Sequence, residues 1–180
     1  MATKRFTVRY SRKAEGKTDY KNRLLLLKSK KTRLVVRKSL NNINVQFVNF
    51  DKKGDKVIVS ANSYELKKKY NWKFSTGNIP AAYLTGYLCG IKAKSKNIKE
   101  AILDLGLQSK GERLYAALKG VVDAGIKIPH SADILPSDNR IYGTHISEYA
   151  KKANKLQFNK VKPENFKTAM EDIKNKIGRS

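Results

Sequence analysis

The chain has 180 residues, 40% of them apolar, and carries a formal net charge of +24 from 39 Lys and Arg against 15 Asp and Glu. That length leaves room for one domain with extensions, or at most two small ones, and the apolar share fits a soluble globular class. Cations in such excess repel one another in a compact monomer, so a polyanionic partner is expected, nucleic acid first. A single cysteine, Cys89, excludes an internal disulfide, and the longest apolar run, Ile79 to Ile91, is too short to span a bilayer.

In chain order, residues 1–17 lack periodicity and predict an extended basic arm. A helix is predicted from Thr18, its hydroxyl capping and Asp19 favourable at the positive end, through Leu24–Leu27 to a stop near Ser29. Four consecutive leucines spread around a helix, so this one is expected to be covered on at least two faces. Strands are predicted at Thr32–Ser39 and Ile43–Phe50, joined by an Asn41-Asn42 turn in which Asn accommodates positive φ. Ile43, Val45 and Phe47 alternate with Asn44 and Gln46, the period of two of a half-buried strand. A third strand, Lys56–Ala61, completes an antiparallel meander.

Helical periodicity follows. Tyr64–Tyr70 is a short basic helix. A longer one opens at Asn78 as cap with Pro80 in the first turn, and is apolar all round, so it should be buried on more than one side. Ala82, Gly86 and Gly90 recur every four residues and make a smooth stripe for close approach. Residues 100–107 predict a buried strand, Glu112 to about Ala124 a helix stopped by Gly125, and residues 126–129 a short strand ended by Pro129. Strand, helix and strand imply a parallel crossover. The expected fold is α/β: a mixed sheet, the three-strand meander plus parallel crossover strands, packed with helices. The expected organisation is a basic N-terminal arm and helix (1–29), an α/β RNA-binding core (30–130) and a helical C-terminal extension (131–180), with helices near Thr144–Ala153 and Pro163–Ile177.

Charge is unevenly placed: +12 over residues 1–38, +8 over 39–99, −2 over 100–150 and +6 over 151–180. Arg5, Arg9, Arg12, Lys13 and Lys17 lie among Phe6, Tyr10 and Tyr20, a basic stretch with interleaved aromatics that can pair phosphates and stack bases. Arg33 and Arg37 share one strand face, where they can follow a phosphate backbone or simply face water. Catalytic signals are weak. A three-strand meander followed by crossovers is also the start of metal-dependent nuclease folds, but those need several acids converging at strand ends. Here Asp104 reads as an ordinary strand-end residue, Asp51 and Asp55 flank a turn, and His130 and His145 lack zinc spacing. The basic start is not followed by the apolar stretch of a secretory signal, so a cytosolic or nuclear setting is expected.

Six stretches in order, "KAEGKTDYKNRLLLL" (13–27), "RLVVRKSLNN" (33–42), "TGNIPAAYLTGYLCGIKAK" (76–94), "AILDLGL" (101–107), "ALKGVVDAGIKIPHS" (117–131) and "DNRIYGTHISEYAKK" (138–152), carry a resemblance. They resemble the 5S-rRNA-binding ribosomal protein family, number eighteen of the large subunit, in its archaeal and eukaryotic type; "AAYLTGYL" and "GKTDY" are the most specific. The visible departure is Ala14, where the family has an arginine. The resemblance implies a ribonuclease H-like topology without catalytic acids, a non-enzymatic protein, no cofactor and no small-molecule or membrane partner. It implies a cytoplasmic ribosomal protein that binds 5S rRNA and anchors it to the large rRNA in the central protuberance, beside neighbouring large-subunit proteins. It further implies RNA contacts at Arg5, Arg9, Arg12, Lys13, Lys17, Thr18, Lys21, Arg23, Arg33, Arg37 and Lys38, with Tyr10 and Tyr20 stacking or packing.

Overall fold

A computed structural model describes residues 7–152 and 166–179. The arm contains a short helix, α1 (Ser11–Ala14), and leads to α2 (Tyr20–Lys28). The meander is β1 (Arg33–Lys38), β2 (Ile43–Asn49) and β3 (Lys56–Asn62), followed by α3 (Ser63–Tyr70) and α4 (Ile79–Lys94). Then come β4 (Ile102–Asp104), α5 (Glu112–Asp123), a 3-10 turn (Ala132–Ile134), α6 (Asp138–Ile141), α7 (Thr144–Lys152) and α8 (Phe166–Gly178). The strands form one mixed sheet in the order β3-β2-β1-β4: β1 pairs antiparallel with β2 and parallel with β4, and β2 pairs antiparallel with β3.

Period-two alternation decides which face of this sheet is covered. Leu34 and Val36 of β1, Ile43, Val45 and Phe47 of β2, and Val59 and Ala61 of β3 point toward the helices and are buried. Arg33, Val35 and Arg37 on β1 and Gln46 and Val48 on β2 form the opposite, outward face. A register shift between Phe47 and Val48 adds a residue to β3 at Ile58 and carries Val57 to that outward face beside Val48.

α4 is the axis of the helical layer. Asn78 caps it by accepting from Ala81 N, and Pro80 sits in its first turn. The sheet lies on one side, where Cys89 Sγ contacts Val45 O, and α5 lies on the other. The glycines set that second distance. A Cβ on Gly86 would fall on the Ala117 carbonyl, and one on Gly120 would fall on the Tyr83 carbonyl, so the two backbones touch. α8 closes a third side with Phe166, Met170, Ile173 and Ile177, which belong to the same apolar cluster as the sheet. Lys174 Nζ lies 5.3 and 5.5 Å from the ring centroids of Tyr83 and Tyr87.

Several expectations shift. The arm is not extended over its described part: α1 is closed by Gly16 at φ 64°, and Lys17 N and Thr18 N both donate to Arg12 O. The cap of α2 is Asp19, not Thr18; its carboxylate accepts from Lys21 N and Asn22 N, while the Thr18 hydroxyl accepts from Arg12 Nε. The β1–β2 turn uses no positive φ at Asn41 or Asn42. It is a four-residue turn closed by Ser39 N donating to Asn42 O, and Thr76 and Arg113 donate to its carbonyls. The strand expected at 126–129 is reduced to one bridge, Lys127 with Glu100, because Pro129 has no N–H with which to continue. β4 is likewise shorter than expected, since Gly106 at φ 61° turns the chain away. The C-terminal helix expected from Pro163 begins within residues outside those described; α8 is described from Phe166.

Gly86→Val places side-chain carbons inside the Ala117 backbone, so it should cost about 3 kcal/mol, the upper end of overpacking, in urea unfolding.

Candidate nucleic-acid interface

The outward face of the sheet is organised by two acids and three arginines. Arg33, 2% exposed, points outward from β1 beneath the neighbouring side chains. It donates Nη1 to Asp104 Oδ2 at 2.9 Å and Nη2 to Asp55 Oδ2 at 2.6 Å. Arg23, on α2, donates to the other oxygen of Asp55 at 2.8 Å. Arg37, four residues on along the same face of β1, donates to Asp104 Oδ1 at 3.0 Å and to the Asp104 carbonyl at 2.7 Å. Gly106 N adds a further donor to Asp104 Oδ1. An unbroken chain therefore runs Arg23–Asp55–Arg33–Asp104–Arg37, from α2 across β1 to the end of β4.

Asp55 is held ionised by its partners. Burial pushes the Asp55 carboxyl up, but hydrogen bonds and charge from Arg33 and Arg23 outweigh it, so the group titrates below its ordinary value. Parallel pairing puts Asp104 there, because its register partner on β1 is Val35, midway between the two arginines. Asp104 is thus more than the strand-end residue expected from sequence: it is 6% exposed and its oxygens take three donors. Among the described residues, no group of three or more His, Cys, Asp or Glu could hold a metal ion.

Around this frame stand the free cations. Arg9, Lys13 and Lys21 are exposed, and among the described residues none of the three forms an ion pair. Arg12 is exposed and aims its Nε at Thr18, and Lys17 pairs only with Glu15 at the surface. Tyr10 and Tyr20 pack on each other, ring centroids 5.0 Å apart, and so tie the arm to the first turn of α2. Lys38 is half-buried, and its backbone exchanges two hydrogen bonds with the Gln108 side chain. Arg5 lies outside the described residues. The expected RNA contacts thus divide into an exposed group on the arm and α2, and an inner group, Arg23, Arg33 and Arg37, already engaged with carboxylates. Between α2 and the outward face lies a cleft of about 270 Å³.

α2 is not covered as its leucines led us to expect. It buries no residue, and Leu24 and Leu25 are 57% and 58% exposed. Four consecutive leucines at 100° steps encircle the helix, and one flank faces the sheet, so the outer pair stays in solvent. The sequence reading missed Asp55 and Asp104 as members of the site. Asp55 arrives from the β2–β3 loop, 22 residues beyond Arg33, and Asp104 through the parallel pairing of β4 with β1, 71 residues beyond it, so neither is visible in a short window.

An α/β fold that turns a basic arm and a helix toward an arginine-rich sheet face defines a class of small basic proteins built to meet a polyanion. A family model described as ribosomal large subunit proteins 60S L5 and 50S L18 matches residues 4–100 and 92–131. The chain is 55% identical over 150 residues to large ribosomal subunit protein uL18 of Korarchaeum cryptofilum, covering 82% of this chain and 76% of that one. It is 47% identical over 186 aligned positions to the uL18 of Methanococcus maripaludis, covering 96% of each. The chain belongs to the uL18 family of large-subunit ribosomal proteins, and its place is the cytoplasmic ribosome. Among the described residues, no helix is long and apolar enough to cross a membrane.

Replacing Asp104 by Ala leaves Arg33 buried with half its compensation gone, and should cost about 3–5 kcal/mol in denaturant unfolding. The lowered pKa of Asp55 sets a direction for acid. Its stabilisation is complete above the ordinary value of 3.8 and is lost as pH falls from there through the lower folded value. Melting temperature should therefore drop on acidification below about pH 4, and Asp55→Asn should flatten that acid limb.

Proposed function

We propose that this protein is a non-enzymatic ribosomal component that binds 5S rRNA and anchors it to the large rRNA in the central protuberance, beside neighbouring large-subunit proteins. The observation that carries this reading is the division of the cations. Arg9, Arg12, Lys13, Lys17 and Lys21 stand exposed on the arm and α2, while Arg23 and Arg33 share Asp55 to hold α2 to the sheet and Arg37 ties β1 to Asp104 of β4. Exposed cations release counterions from RNA on contact, so they supply affinity. The engaged arginines supply position: Arg33 has no surface to offer a phosphate, and its role is to fix Asp55 and Asp104. Arg5, Thr18 and Lys38 extend the same surface, and Tyr10 and Tyr20 stiffen its hinge. Asp104, committed to Arg33 and Arg37, is not available for metal-dependent RNA cleavage.

The purified chain should retain a 5S rRNA transcript over transfer RNA of similar length. With ~6 phosphates neutralised, log affinity should fall against log salt with a slope near −4 to −6. Equal retention of both RNAs contradicts the proposal. Removal of residues 1–17 should weaken binding at least tenfold, about 1.4 kcal/mol, with little change in melting temperature, because α1 buries nothing.

A further inference from the structure

The cleft between α2 and the sheet is made of parts that a phosphate alone would not use. Its floor is apolar, with Val35, Val48 and Val57 contributed by three adjacent strands. Its wall carries the side-chain amide of Gln46, opposite Val35 in the β1–β2 register, and that of Asn22 in the first turn of α2. Neither amide is spent on a partner among the described residues. Arg33 also lines the cleft, but its Nε–H, without an acceptor among the described residues, is fully buried, and its terminal nitrogens are spent on Asp104 and Asp55, so it only shapes the wall. Arg12 and Lys17 stand at the rim.

The combination matches one chemical object. A nucleobase is flat and apolar on its faces, carries donors and acceptors around its edge, and is joined to a phosphate at one end. At about 270 Å³ the cleft holds a single planar group and excludes a duplex. A bare phosphate would gain nothing from three valines and would meet the carboxylates of Asp55 and Asp104. We infer that the cleft receives one unpaired nucleobase turned out of the bound RNA, its face on Val35, Val48 and Val57, its edge read by Gln46 and Asn22, and its phosphate held by Arg12 and Lys17. This rests on the RNA-binding reading of the preceding subsection and adds to it a point of base recognition, since splayed single-stranded bases are where proteins read RNA sequence.

The test uses the full chain and a 5S rRNA transcript. Val57 is 47% exposed at the edge of the cleft, so Val57→Trp fills the space without disturbing the core or any charge. It should weaken binding at least tenfold while leaving the salt slope and melting temperature unchanged. Gln46→Ala, which opens space instead of filling it, should weaken binding about three- to tenfold. With reagents that together modify the Watson–Crick edges of all four bases, wild type should protect one unpaired base that becomes reactive again in the Val57→Trp complex. If both variants bind as tightly as wild type with the same protections, while wild type still prefers the transcript to transfer RNA, the cleft assignment fails alone. If wild type shows no such preference, the RNA reading and the cleft assignment fail together.

Discussion

The buried Arg33 guanidinium is the group on which the outward half of the molecule depends. A cation taken out of water is costly, and the cost is met only when oxygens of good geometry surround it. Asp55 supplies one side from the β2–β3 loop, and Asp104 supplies the other from the end of β4. Each acid then has an oxygen to spare, and those oxygens hold Arg23 and Arg37. One buried charge thus fixes the position of a helix, a loop, an edge strand and a half-buried arginine. In a chain with so few acids, placing two of them here determines where the remaining positive charge is displayed.

The inward half depends on contact between backbones. Helix α4 is apolar on all sides because it has a neighbour on all sides: the sheet, α5 and α8. Glycines at the crossing with α5 lower the helix propensity of both elements, a cost of up to ~1 kcal/mol for each glycine. They return it as packing, since the closer approach multiplies dispersion contacts along both helices. The sheet therefore has one face sealed by a rigid helical layer, and its other face is free to carry polar work. The partition between stability and recognition is a partition between the two faces of the same strands.

Most of this partition was legible in the residues. The period of two in β2 placed Phe47 inward and Gln46 outward, the Asn78-Pro80 start located α4, and Gly125 ended α5 one residue from its observed stop. These signals are local, and local chemistry carries them. The arm misled because its turn depends on Gly16 and on two amides that reach back to one carbonyl, a fold without apolar period. The leucines of α2 misled because apolarity was taken as a demand for cover, whereas only Leu26 and Leu27 are partly covered and the Arg23–Asp55 pair ties the helix to the β2–β3 loop. Asp104 was undervalued because its partners arrive through strand pairing, which composition along a short window does not contain. The cations were found by counting, but which of them are already spent could be learned only from who stands opposite.

The parallel pairing of β1 with β4 also imposes an order of assembly. During synthesis the arm, α2 and β1 emerge first, yet Arg33 lacks its second carboxylate until residue 104 has followed. Long-range pairing of this kind is intrinsically late, because the intervening chain must be closed before the contact rewards it. The basic arm is thus made first, while the frame behind it is completed late. A nascent chain in that interval carries its densest positive charge ahead of the carboxylate that completes the pairing of Arg33.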